Sequence, residues 1–106
     1  MSPKQVAVQV IYPASAASSF NKEYYLNTHI PLAKSRWGPE GLLSWAVFAG
    51  GEGTGYSVQA VLIWKSLEAY NAQTEEEVVN DIKNFTNVLP YRWIGEIIDQ
   101  GTIAAE

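Results

Sequence analysis

Four stretches rich in β-branched and aromatic residues predict strands. In the first, Val6, Val8, Val10 and Tyr12 alternate with more polar residues and so share one face. The third shows the same period of two from Tyr56 to Trp64. The predicted strands cover residues 4–12, 42–50, 56–65 and 91–99.

Between the first two strands the apolar spacing changes to three and four residues, which indicates a helix over residues 20–37. Asn21 is a plausible N-cap. Pro31 removes a backbone donor inside this helix, which predicts a kink or break near His29. Ser66 is expected to cap a second helical segment, and Thr74 with the glutamates after it a third.

The resulting order is β–α–β–β–α–β, which indicates a single α+β domain over residues 1–106 with a ferredoxin-like fold. Its antiparallel sheet would carry the helices on one face. The other face, on strands one and three, mixes amides with apolar residues, which favours a homodimer joined sheet to sheet. That face comprises Gln5, Ala7, Gln9, Ile11, Ser57, Gln59, Val61 and Ile63.

Composition narrows the classes of function. The 106 residues are 47% hydrophobic and 17% charged, as expected for a globular protein, and the net charge of −4 makes a nucleic-acid partner unlikely on charge grounds. The chain has no cysteine and one histidine, which excludes disulfides and thiolate metal sites and predicts no metal. No signal peptide and no apolar run of about 20 residues is visible, so a cytoplasmic protein without a membrane segment is expected.

The candidate chemistry centres on His29, the type of residue best suited to proton transfer near neutral pH. The alternative is an ordinary helix histidine that bonds a carbonyl or faces water. Tyr12, Tyr25 and Trp64 are predicted to line a pocket for a flat small molecule, although aromatic residues also simply fill small cores. Asn87, in "NFTN", is a candidate for binding a substrate carbonyl or for closing a turn. The "GGEGTG" segment opens no helix and reads as a hairpin turn.

The segment "YYLNTHIPLA" resembles the signature of the EthD family, which has Tyr-Tyr, a spacer and His-x-Pro-Leu. The pieces "IYP", "NFTNVLP" and "IGEII" are similar to short members of that family, so the resemblance covers about residues 6–99. It implies a dimeric α/β barrel, in which His29 is the family's histidine and Tyr25 its aromatic companion. Family members are associated with ether degradation, and fungal relatives act as decarboxylases or dehydratases. The wider superfamily includes cofactor-free monooxygenases, cyclases and haem enzymes.

Three functions follow from these observations. The first is a cofactor-independent enzyme that acts on an aromatic or carbonyl-containing molecule through His29, in degradation or secondary metabolism. The second is a binding or accessory protein with the same pocket and no chemistry. The third is a haem protein with His29 as axial ligand and Arg36 near a propionate, which the scarcity of other cations disfavours. No cofactor is predicted, and the sequence leaves the reaction open.

Overall fold

The computed structural model of the protein describes residues 4–51, 53–72 and 76–103. Its centre is one antiparallel sheet in the spatial order β2-β3-β1-β4. This order results when each of two β–helix–β units is split by a strand of the other, and it confirms the predicted ferredoxin-like α+β fold. The strands are β1 (Val6–Pro13), β2 (Leu42–Ala49), β3 (Tyr56–Trp64) and β4 (Tyr91–Glu96).

The helices lie on one face of the sheet. A continuous helix joins β1 to β2 and consists of α1 (Lys22–Tyr24), a π-helical turn (Tyr25–His29) and α2 (Ile30–Trp37). Between β3 and β4 lie α3 (Leu67–Ala72), α4 (Glu76–Asn80) and a 3₁₀ turn (Asp81–Asn84). A short 3₁₀ turn (Ala14–Ala16) follows β1.

Two of the predicted helix caps are present. The Asn21 side chain accepts a hydrogen bond of 3.0 Å from the backbone N–H of Tyr24, and Ser66 Oγ accepts one of 3.0 Å from that of Ala69. Each bond satisfies a donor that the first turn of a helix leaves unpaired. Thr74, the third predicted cap, lies outside the described residues.

The core forms between the helices and the inner face of the sheet. Val6, Val8 and Tyr12 of β1 and Ala60 of β3 are buried there. Trp64 is also buried, between the rings of Trp37 and Tyr70, whose centroids are 5.7 Å and 5.6 Å from its own. The alternation read from the sequence therefore assigns the inner face correctly, because successive strand residues point to opposite sides.

The outer face has the composition that the sequence predicts. The register pairs Ala7 with Ile63 and Gln9 with Val61, so these partly buried residues share that face. Large apolar side chains from the edge strands join them, among them Trp93, which is 69% exposed. Two strand ends differ from the prediction by two or more residues: β1 begins at Val6 instead of residue 4, and β4 ends at Glu96 instead of residue 99. The carboxyl ends of β1, β2 and β3 each differ by one residue.

Within the described ranges, no helix has both the length and the apolar character that crossing a bilayer requires.

Candidate functional site

The long helix widens at the point where His29 lies. In the turn Tyr25–His29 the N–H of Ile30 donates to the carbonyl of Tyr25, five residues earlier, instead of four as in an α-helix. Pro31 follows directly, and in a regular α-helix its ring would clash with the carbonyl of Asn27. We attribute the widened turn to the relief of this clash. The predicted disturbance is thus present, but it takes the form of a π turn in a continuous helix, without a break.

His29 is a buried residue that bonds a carboxylate. It is 7% exposed, and its Nδ1 lies 2.9 Å from Oδ2 of Asp81. The Tyr24 hydroxyl and the Asn84 amide donate to the other carboxylate oxygen, Oδ1, at 2.6 Å and 2.9 Å. Asp81 therefore joins the first helix to the segment before β4.

These contacts set the protonation of the pair. Burial lowers the pKa of His29 below its usual value, and the bond to Asp81 and that residue's charge oppose the shift without overcoming it. For Asp81, partial burial would raise the pKa, but hydrogen bonds from Tyr24, Asn84 and His29 outweigh it and lower the pKa. At neutral pH the pair is thus a carboxylate and a neutral imidazole. Because the carboxylate can only accept, Nδ1 carries the proton and Nε2 is left with its lone pair.

Two buried tyrosines lie beside the histidine. Tyr12 is 1% and Tyr25 2% exposed, and the Tyr25 ring stacks on His29 with 5.5 Å between centroids. Phe85 packs 4.6 Å from the imidazole and edge-on against both tyrosines. Burial raises the pKa of both phenols, so they stay protonated at physiological pH. No hydrogen bond within the described part of the chain engages either hydroxyl, which leaves both available to a ligand.

A cavity of about 250 Å³ opens between the helices and the sheet. This volume is just below the range of about 300–1,000 Å³ typical of drug-sized ligands, so it suits a smaller molecule. Its walls are mostly aliphatic and aromatic. The residues that line it include Val10, Tyr12, Tyr25, His29, Tyr70 and Arg92.

Arg92 brings a positive charge to this apolar cavity. It pairs in register with Val10 on the helix side of the sheet, and its Nη1 donates to the Tyr70 hydroxyl at 3.0 Å. Its charge also acts on Tyr12, where it partly offsets the rise in the phenol's pKa that burial and Tyr25 produce. Arg92 and Tyr12 both line this cavity.

Solved structures show what the chain is similar to. An EthD-like protein from Ralstonia eutropha JMP134 superposes with a TM-score of 0.78 at 25% sequence identity, over 94% of this chain and 97% of that one. An ethyl tert-butyl ether D (EthD) family protein from Bacillus halodurans C-125 gives a TM-score of 0.67 at 20% identity, over 90% and 99% of the two chains. The chain has the EthD fold.

SnoaB, a cofactor-independent oxygenase from Streptomyces nogalater, shares the fold at greater distance, with a TM-score of 0.60 at 10% identity over 92% of this chain and 96% of that one. No protein-family model and no curated protein matches the chain. The likeness to an EthD-like protein agrees with the resemblance read from "YYLNTHIPLA".

The EthD fold brings three of the five predicted site residues together. His29, Tyr12 and Tyr25 all line the cavity. Trp64 and Asn87 do not: Trp64 is fully buried in the core beside it, and Asn87 is exposed, with its backbone N–H 3.5 Å from Ser19 Oγ. The assignment of these two residues to substrate binding stays a prediction.

Two residues of the site were missed from the sequence, Asp81 and Arg92. Asp81 reads as one more polar position of the helix "EEEVVNDIKNF", and Arg92 as a single polar residue in a strand. The lone histidine could have led to Asp81. A buried imidazole needs a hydrogen-bond partner, and the acidic residues before β4 are candidates for that partner.

Arg36, which the haem alternative requires, lies elsewhere. It is exposed, pairs with Glu77 at 2.7 Å, and does not line the cavity. Its charge is thus engaged outside the site. In the described ranges no group of three or more histidine or acidic side chains is arranged to hold a metal ion.

Proposed function

We propose that the protein is a small cofactor-independent enzyme that uses His29 as a general base on a carbonyl-containing molecule bound in the cavity. The observation that carries this proposal is the buried hydrogen bond between His29 and Asp81 at the cavity wall. A carboxylate that accepts from one ring nitrogen fixes the tautomer of the imidazole, so that the other nitrogen has a free lone pair and can act as a base.

The chemistry follows from the protonation states. Nε2 of His29 takes a proton from a carbon next to the ligand carbonyl, the C–H electron pair moves toward the carbonyl oxygen, and an enolate forms. The resulting imidazolium is stabilised by the carboxylate of Asp81. The hydroxyls of Tyr12 and Tyr25 donate to the developing oxyanion, since both remain protonated and have no other partner in the described residues. The imidazolium then returns the proton to carbon. Alternatively, the enolate re-forms the carbonyl, its C=C electron pair shifts to the next carbon and breaks that carbon's bond to a leaving group, and the imidazolium protonates the departing group.

A deuterium-exchange assay tests this proposal. A panel of small aryl ketones and 1,3-diketones is incubated with the protein in D₂O, and loss of the α-proton signal is followed by NMR. His29→Ala should slow the catalysed exchange by about 10²–10⁴-fold, the range that general base catalysis contributes. Thr28→Ala, an exposed position in the same turn, is the matched control and should leave the rate unchanged. Exchange by His29→Ala within about tenfold of the natural chain would rule the base out.

The second candidate is a binding or accessory protein, which the apolar walls of the cavity favour. It predicts saturable binding of the same compounds that His29→Ala does not weaken, together with no deuterium exchange catalysed by the natural chain.

A cytoplasmic location remains a prediction from the sequence.

We also propose that the protein forms a homodimer through the outer face of the sheet. Phe48, Tyr91 and Trp93 are 45%, 64% and 69% exposed on that face, and contiguous apolar surface of this kind marks interfaces. Trp93→Glu should give a monomer in light scattering at micromolar concentration. Leu26→Glu, which alters an exposed apolar residue on the helix side, should not change the mass. A monomeric natural chain would contradict the proposal.

A further inference from the structure

Arg92 is an exposed, permanently charged side chain at the wall of a cavity whose other described lining residues are apolar, aromatic or, at His29, neutral. In the described part of the chain no carboxylate lies within ion-pair distance of it, whereas the other short ion pairs there join Lys4 to Glu96 and Arg36 to Glu77. The protein as a whole carries a net charge of −4, so acidic partners for a cation are plentiful. Because Arg92 also lines the cavity, its charge is open to a ligand that supplies the negative charge.

The guanidinium is also held in place. Tyr70 packs edge-on against the buried Trp64, with 5.6 Å between ring centroids, and its hydroxyl accepts from Nη1 of Arg92 at 3.0 Å. The anchored phenol fixes one edge of the guanidinium and leaves its remaining N–H donors for a second acceptor. A planar fork of donors matches the two oxygens of a carboxylate.

We infer that Arg92, positioned by Tyr70, binds a carboxylate group of the substrate, so that the substrate class is a small planar acid with a carbonyl group. The body of the acid lies on the sheet residues such as Val10, and its carbonyl oxygen reaches the hydroxyls of Tyr12 and Tyr25. This inference rests on the proposed function only in taking the cavity as the place where the substrate binds.

Equilibrium binding without turnover tests the inference. Benzoate, cinnamate and 2-naphthoate are each compared with the corresponding primary amide, which has nearly the same shape and no charge. The natural chain should bind at least one acid about tenfold more tightly than its amide, which is the order expected for a charge-assisted bond that is partly open to water.

Variants locate the source of the preference. Arg92→Gln should abolish it, Arg92→Lys should retain part of it, and Tyr70→Phe should weaken it by freeing the guanidinium. Arg36→Gln is the matched control, since it removes an exposed arginine outside the cavity and should leave the preference intact.

Three results would overturn the inference: equal binding of acid and amide by the natural chain, an undiminished preference in Arg92→Gln, or no binding of any acid at millimolar concentration. His29→Ala should keep the preference for acids. Acid binding by Arg92 can therefore be supported even where the exchange assay rules out base catalysis by His29. The two proposals can fail separately.

Discussion

Replacement of Asp81 by alanine tests the structure of the site most directly. The change removes the acceptor of three hydrogen bonds, from His29, Tyr24 and Asn84. Water can bond to the Tyr24 and Asn84 groups once the carboxylate is gone, so the loss of these two hydrogen bonds adds little to the change in stability. The Nδ1–H of His29 is buried and stays unpaired, which costs about 1–3 kcal/mol of the free energy of unfolding.

The assay is urea denaturation at pH 7, followed by tryptophan fluorescence. Asp81→Ala should lose about 2 kcal/mol, and Asp81→Asn about half of that because its amide oxygen can still accept from one donor. Asp99→Ala is the matched control, since Asp99 is exposed, and it should change stability by less than about 0.5 kcal/mol.

Nitrogen NMR of the imidazole gives a second readout that a general loss of stability would not move. His29 is the only histidine in the chain, so its signals need no assignment. In the natural chain the Nδ1–H tautomer should dominate, and in Asp81→Ala that preference should disappear because its acceptor is gone. Unchanged stability together with an unchanged tautomer in Asp81→Ala would refute the assigned bond.

Three further changes have defined outcomes. The pKa of His29 is lowered in the folded state, so the unfolded chain takes up the proton first as pH falls below about 6.5. The free energy of unfolding should then decline by at most about 1.4 kcal/mol per pH unit until the folded-state pKa is passed. His29→Gln should lack this decline in urea titrations. Tyr12→Phe removes a buried hydroxyl that has no hydrogen-bond partner in the described residues. The free energy of unfolding should therefore stay equal or rise by up to about 1 kcal/mol, while ketone binding weakens. A fall of more than about 1 kcal/mol in the free energy of unfolding would instead show that the hydroxyl has a partner. Trp64→Ala should lose about 3–5 kcal/mol in thermal or urea unfolding, and a loss below about 1 kcal/mol would contradict its place in the core.

The periodic parts of the fold were predictable from the sequence. Strand alternation assigned Tyr12 and Trp64 to the inner face, and the side chains of Asn21 and Ser66 indicated where two helices begin. Both signals are visible in the sequence because each depends only on residues that are near neighbours in the chain. The same local signals place His29 and Tyr25 on one side of one helix.

The completion of the site was not predictable in this way. Asp81 meets His29 across 52 positions of sequence, and Arg92 meets Tyr70 across 22, so neither contact leaves a periodic signal. Trp64 shows the opposite difficulty. The strand pattern shows that Trp64 points to the inner face of the sheet. The rings of Trp37 and Tyr70 cover it there, so that it does not line the cavity, and this packing is visible only in the structure.

The π turn makes chain length a requirement of the site. Residues 26–28 are exposed, and substitution of any one of them should be harmless. Deletion of one is a different matter: the turn would close to α-helical geometry, because the hydrogen bond between the Ile30 N–H and the Tyr25 carbonyl would then span four residues instead of five. Pro31 would then again meet the carbonyl four residues before it, and the clash that the widened turn relieves would return. In a deletion scan this segment should thus tolerate no change in length, although it accepts many changes in composition.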